Sequence, residues 1–208
     1  MKKKTTVSTI AVLVMALAGY FLEKKFPELS KILQKETSQK QETTKKEQSG
    51  VLPSGEYTAK VLKVADGDTI TVQMEDGTKA KLRLLWIDTP EKNEGYKLLK
   101  DVDKCNTSKK KMKQMGQKAT AYAKRNFHVK DQIKVKIEGQ GQFKRYLALV
   151  WNKKGELYNE EIIKDGYACI YKKAKYPKYL DDLLEEAKKK RRGLWKDYYK
   201  IMECLCYK

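Results

Sequence analysis

Residues 56–87 read EYTAKVLKVADGDTITVQMEDGTKAKLRLLWI, and this stretch decides the fold. Glu56–Val64 alternates and is rich in Tyr, Val and Leu, the pattern of a strand. Asp66-Gly67 is a hairpin turn signal, because both types tolerate the backbone that a tight turn demands. Thr69–Met74 then sets Ile70, Val72 and Met74 on one face, and Glu75-Asp76-Gly77 turns the chain again. Lys79–Ile87 reads as a third strand with Leu82, Leu84 and Trp86 on one face. Three strands joined by tight turns make a β-meander. Pro90, which lacks an N–H, ends the ladder.

Beyond the meander the period changes. Lys92–Thr107 has no steady period and is full of Lys, Asp and Asn, so it reads as a mobile loop. Lys111–Phe127 carries Met115, Ala119, Tyr122, Ala123 and Phe127 at helical spacing. Gln132–Ile137 and Tyr146–Trp151 alternate and supply two more strands. A short helix over Leu157–Lys164 ends at Gly166, and Tyr167–Tyr171 is briefly extended. Tyr179–Lys190 turns Leu180, Leu183, Leu184 and Ala187 to one side before Gly193 and Trp195. Five short strands with about three packed helices predict an α+β domain built on a small closed barrel.

The chain has 208 residues, with 46 Lys and Arg against 27 Asp and Glu, a formal net charge of +19. Such an excess points to a polyanionic partner, nucleic acid or an anionic membrane surface. The one histidine, His128, excludes a His-rich metal site and any mechanism needing two histidines. Ten of the lysines and five of the acids lie in residues 1–55, so most of the positive excess belongs to the part that folds. Lys2, Lys3 and Lys4 precede an apolar stretch over residues 7–22, with Ala16-Leu17-Ala18 as a small-x-small cleavage site. That is the pattern of an export signal, either cleaved or retained as a membrane anchor. In both cases the rest of the chain is expected outside the cytoplasm, extracellular or tethered to the outer face of the membrane. Residues 23–54 read as a flexible polar linker, 55–196 as the folded domain and 197–208 as a C-terminal tail. Cys105, Cys169, Cys204 and Cys206 fit no zinc spacing and read as structural; disulfides are permitted outside the cytoplasm, and spacing leaves their pairing open.

Against this basic background, carboxylates gather at Asp66-Gly67-Asp68-Thr69 and at Asp88-Thr89-Pro90-Glu91. The first group opens strand two and the second closes strand three. In a meander those two ends are neighbours, so Asp68, Asp88 and Glu91 are expected on one edge. Oxygen-only ligands suit a hard cation such as Ca²⁺, which accepts loose geometry. Mg²⁺ and Mn²⁺ stay open on the same ground. Arg83 lies on the strand leading into the second group, Arg145 opens the fifth strand, and arginine grips a phosphate in two places. Each piece alone has a plainer reading: Asp66-Gly67 as a turn, Pro90 and Glu91 as a helix start, either arginine as a surface charge. Their conjunction is what points to chemistry.

At these residues the sequence resembles the staphylococcal nuclease (thermonuclease) family, over roughly Gly55 to Trp195. Val64-Ala65-Asp66-Gly67-Asp68-Thr69, Arg83-Leu84-Leu85-Trp86-Ile87-Asp88-Thr89-Pro90-Glu91 and Arg145-Tyr146-Leu147-Ala148 carry the resemblance. Gly166-Tyr167-Ala168 and Gly193-Leu194-Trp195 match weaker family positions in the same order. The resemblance implies a five-stranded oligonucleotide-binding (OB) barrel. It implies one Ca²⁺ ion held by Asp68, Asp88 and the backbone carbonyl of Thr89. It implies Glu91 as general base for the attacking water, and Arg83 and Arg145 on the scissile phosphate. The implied activity is cleavage of DNA and RNA, single-stranded or locally opened, with little sequence preference, to 3′-phosphate and 5′-hydroxyl ends. A monomer with no protein partner is expected, attached to a membrane through residues 7–22 where the apolar segment is retained.

Three departures stand out. The lysine-rich stretch 92–113 is long and is expected beside the active edge, its lysines contacting phosphates of longer substrates. Gly141-Gln142-Phe143-Lys144 replaces the family's usual approach to the second arginine. Tyr171 and Tyr176 are the candidates for stacking on a substrate base, with barrel packing as the alternative. Two other functions compete. A non-catalytic nucleic-acid-binding barrel would not need the carboxylates and arginines, and a basic membrane-surface protein would explain the lysines but not the clustered acids.

Overall fold

The alternation of the meander becomes strands β1 (Gly55–Val64), β2 (Thr69–Met74) and β3 (Lys79–Leu84). The structure, a computed structural model, describes residues 51–207. The export or anchor segment and nearly all of the expected linker lie outside the described residues. Among the described residues, no helix is long and apolar enough to cross a membrane.

Two later strands, β5 (Gln132–Gln140) and β6 (Tyr146–Trp151), complete a closed barrel in the order β1-β2-β3-β6-β5, with β5 returning to β1. Every pairing is antiparallel except β3 with β6. One parallel closure in a five-stranded Greek-key barrel is the OB arrangement. Inward residues repeat every second position: Ala59 and Val61, Ile70 and Val72, Ala80 and Leu82, Ile133 and Val135, Ala148 and Val150 are all buried. Bulges between Val61 and Lys63 and between Ile137 and Gly139 bend β1 and β5 to close the barrel.

The third strand is shorter than its pattern predicts. It ends at Leu84, because Trp86 takes a left-handed backbone (φ 69°) that no strand continues through. The chain there changes partner. Leu85 N–H still donates to Ala148 O of β6, and Trp86 O accepts from Tyr171 N–H. The next two residues, β4 (Ile87–Asp88), pair antiparallel with β7 (Cys169–Ile170). The expected alignment of Leu82, Leu84 and Trp86 on one face therefore breaks at Trp86, which is half-buried.

Six helices occur among the described residues, not about three. The stretch expected as a loop holds α1 (Tyr96–Lys104). Its inward stripe is Leu98, fully buried, then Val102 and Cys105, spaced one and two turns on. Five charged side chains among its nine residues hid that stripe. Helix α2 (Lys109–Asn126) starts two residues earlier than expected, because Ser108 caps it by accepting from Lys111 N–H at 3.2 Å. Helices α3 (Tyr158–Lys164) and α4 (Tyr179–Lys189) match the sequence pattern. The expected domain closes on α5 (Leu194–Asp197), and the expected tail holds α6 (Tyr199–Tyr207). Disulfides Cys105–Cys204 and Cys169–Cys206 fasten α6 to the end of α1 and to β7.

Candidate active site

Asp68 is delivered by register. Thr69 pairs with Arg83 across β2 and β3, and Leu84 N–H donates to Asp68 O at 2.9 Å. The Asp68 side chain is buried and almost fully bonded. Its Oδ1 accepts from Thr69 Oγ1, and its Oδ2 accepts from both Thr89 N–H and Thr89 Oγ1, each at 3.0 Å. Arg83 lies between the two acidic groups. Its guanidinium reaches Asp68 Oδ2 at 3.2 Å and Asp88 Oδ1 at 3.4 Å. The edge predicted from the meander thus exists, and Arg83 ties its two halves together.

A residue of the mis-assigned loop completes the cluster. Lys97, in the first turn of α1, extends its ammonium to Asp88 Oδ1 (3.2 Å), Glu91 Oε1 (3.3 Å) and Asp101 Oδ2 (3.7 Å). It also donates to the Thr89 carbonyl at 3.1 Å. Among the described residues no three His, Cys, Asp or Glu side chains gather as a metal-holding group. The oxygens facing one common cation are instead those of the Asp88, Glu91 and Asp101 carboxylates and the Thr89 backbone carbonyl, gathered on the Lys97 ammonium.

The electrostatics follow from crowding. Burial pushes the Asp68 carboxyl up, but Arg83 and the Thr89 N–H outweigh it and hold the group below the usual carboxylate range. Burial, with the Asp68 charge added, raises Asp88 despite Lys97 and Arg83. Asp66, whose Oδ1 accepts from Asp68 N–H, is pushed up to about 6 by burial and by Asp68. Burial works against the charge on Lys97, yet Asp88, Glu91 and Asp101 hold it above the ordinary lysine range.

Three residues absent from the sequence argument hold this geometry. Gly116 of α2 is where that helix meets the site: a Cβ there would lie 2.5 Å from Glu91 C and Lys92 N. Only a glycine lets α2 support the Glu91 backbone so closely. Tyr158 OH donates to Gly67 O at 2.9 Å, fixing the turn that carries Asp68. Buried Asn159 donates to Leu85 O and Ala148 O and accepts from Val150 N–H, so it satisfies the backbone where β3 breaks. Both come from α3. A two-residue polar step at the start of a helix was the available signal, and it reads equally well as a plain helix start.

Arg145 stands apart. It opens β6, and its Nε donates to Gln142 O at 3.3 Å while its guanidinium lies over the exposed Phe143 ring. Among the described residues it makes no ion pair with the cluster. Of the two tyrosines, Tyr171 is exposed with the Arg83 guanidinium 6.0 Å from its ring centre, whereas Tyr176 donates to Asp181 Oδ1.

Residues 81–197 match the family described as Staphylococcal nuclease homologue. A thermonuclease from Staphylococcus hyicus is 34% identical over 154 residues, covering 71% of this chain and 80% of the relative. An uncharacterized protein of Methanocaldococcus jannaschii is 36% identical over 151 residues, 67% of this chain and 72% of the relative. Endonuclease YhcR of Bacillus subtilis is 29% identical over 157 residues, 72% of this chain but 12% of that much longer protein. With the matched span running from β3 through Asp88, Thr89 and Glu91 to α5, and the Staphylococcus hyicus thermonuclease covering 71% of the chain, this chain belongs to the staphylococcal nuclease family.

Proposed function

We propose that this protein is a Ca²⁺-dependent nuclease that hydrolyses phosphodiester bonds of DNA and RNA, leaving 3′-phosphate and 5′-hydroxyl ends. The observation that carries the reading is the gathering of Asp68, Arg83, Asp88, Thr89 and Glu91 at one end of a barrel in a strongly basic chain. The nuclease names of the relatives point the same way.

The donor set fits a calcium ion. Asp88 Oδ1 and the Thr89 carbonyl already face one positive charge, and Asp68 is joined to Thr89 through two hydrogen bonds. Asp68, Asp88 and Thr89 would hold the ion, which when bound supplies Lewis-acid neutralisation of phosphate charge. The chain's own groups do the rest. Glu91, its side chain 36% exposed, takes the proton of the attacking water. Arg83 and Arg145 grip phosphate oxygens, and their charge counts most as negative charge grows at phosphorus. Arg145 would leave its Phe143 stack to do so. A site that reads phosphate charge and not base edges accounts for broad specificity.

We place the enzyme outside the cytoplasm, secreted or tethered to the membrane, acting as a monomer. The basic-then-apolar N-terminus supports that location, and so do two disulfides, since cytosolic thiols are normally kept reduced.

The test is incubation of the full chain with single-stranded DNA in Ca²⁺ and in chelator, with product ends mapped. Ca²⁺-dependent cleavage to 3′-phosphate ends supports the proposal. Tight binding without cleavage in any divalent metal overturns it in favour of a non-catalytic binding module.

A further inference from the structure

Lys97 lies at the centre of the oxygens that the proposed calcium site needs. Its ammonium touches the Asp88 carboxylate, the Thr89 carbonyl and the Glu91 carboxylate, all within 3.3 Å. Asp101, one helical turn along α1, flanks it from behind at 3.7 Å. This is no free surface lysine. Leu98 is fully buried beside it, and the Cys105–Cys204 disulfide fastens the far end of α1.

We infer that Lys97 is a built-in counter-cation of the metal cradle, so that calcium enters by exchange with its ammonium. The inference rests on the calcium-nuclease reading of the same site. Asp68, Asp88, Glu91 and Asp101 bring four carboxylates to the cluster, and Arg83 and Lys97 bring two positive charges. Without the ammonium, Asp88 and Glu91 would face each other with only Arg83, on the Asp88 side, to offset them. With it, the cluster holds together before metal arrives. Ca²⁺ takes oxygens at about 2.3–2.6 Å. The lone pairs of Asp88 Oδ1 and Thr89 O that now accept from Lys97 are the ones it would use, and two cations crowded onto the same oxygens repel. Metal binding therefore removes the ammonium from both atoms. Asp101 retains a partner for the displaced ammonium on its own helix. Lys97 is a positioning residue: it sets metal affinity and the apo arrangement of Asp88 and Glu91, and it acts through those two carboxylates and not on the phosphate or the attacking water.

Two effects of opposite sign follow, which a merely structural lysine would not produce. Lys97→Met should melt at lower temperature than wild type in chelator, because four carboxylates keep one cation fewer. The same variant should bind Ca²⁺ about tenfold more tightly or better, because nothing must be displaced. Calorimetric titration of the full chain with Ca²⁺ alone reads the affinity. Lys97→Arg, which retains a cation, should stay near the wild-type value. A third measurement needs no variant: acetylation of wild-type lysines, read by mass spectrometry, should find Lys97 protected in chelator and several-fold more reactive in saturating Ca²⁺.

Equal or weaker Ca²⁺ binding by a folded Lys97→Met overturns the inference, and so does unchanged Lys97 reactivity, in either case with a wild type that still cleaves in Ca²⁺. A wild type that neither binds Ca²⁺ nor cleaves overturns the nuclease reading itself, and this inference with it.

Discussion

Asp68 accepts from Thr69 Oγ1, Thr89 N–H and Thr89 Oγ1 and pairs with Arg83, whereas Glu91 is half-exposed and pairs with Lys97. The two carboxylates therefore contribute differently to stability. Asp68→Ala strips a buried, bonded partner from Arg83 and leaves the Thr89 N–H unsatisfied. A loss of about 3–5 kcal/mol is expected, the usual cost of breaking one side of a buried pair. Urea unfolding of the variant measures it. Glu91→Gln removes a charge without removing a packed group. Its stability should stay within about 0.5 kcal/mol of wild type, while cleavage of single-stranded DNA falls at least about 10²-fold. A variant that retained full rate would take the general-base role away from Glu91.

At the scale of elements, the site depends on how helices meet the barrel's open end. Helix α2 rests on the Glu91–Lys92 peptide at Gly116, with backbone atoms that cannot swing aside. Gly116→Ala should push the helix and that peptide apart, costing about 1–3 kcal/mol as overpacking does. Because Glu91 is the residue displaced, initial rates should fall even where circular dichroism shows the variant fully folded. Helix α3 packs its Tyr158 ring against Tyr122 and Phe127 of α2 and its C-cap, and it holds the site's backbone with Tyr158 on the Gly67 carbonyl and Asn159 on Leu85. Strand β3 breaks at Leu85 and Trp86 so that Ile87–Asp88 can pair with β7, and the break holds because Asn159 and Tyr171 satisfy the freed carbonyls. The meander and the α2, α3 and α4 patterns were legible because alternation and the 3.6-residue period are local. The break at Trp86 was not, since its cause lies on residues far along the chain.

For the whole molecule, the C-terminal helix works as a staple. Cys204 closes a separation of 99 residues to Cys105, and Cys206 one of 37 to Cys169, which pairs directly with Asp88. Loop-closure entropy puts an upper estimate of about 4.7 kcal/mol on the first bridge and about 3.8 kcal/mol on the second. The two are not additive, because they share α6. Reduction, or the Cys105→Ser/Cys204→Ser variant, should lower the unfolding temperature by several degrees or more in a thermal melt. It should also weaken Ca²⁺-supported activity before global unfolding, since the released end of α1 is the one that carries Asp101. Activity that tracked only the folded fraction would mean that the staple serves stability alone.

Local pattern was enough to specify the barrel strands, the basic character of the folded part and the β2–β3 pairing that sets Asp68 beside Arg83. Strand period, turn residues and antiparallel register act between near neighbours, so a sequence read in order contains them. The tertiary structure alone decided the rest. It turned an aperiodic, lysine-rich stretch into α1, because a stripe of buried Leu98 with half-buried Val102 and Cys105 suffices once a surface exists to cover it. It chose one pairing of four cysteines and set Lys97 among carboxylates, and not against solvent. Each of those outcomes depends on which distant surfaces come into contact, and no spacing along the chain encodes that.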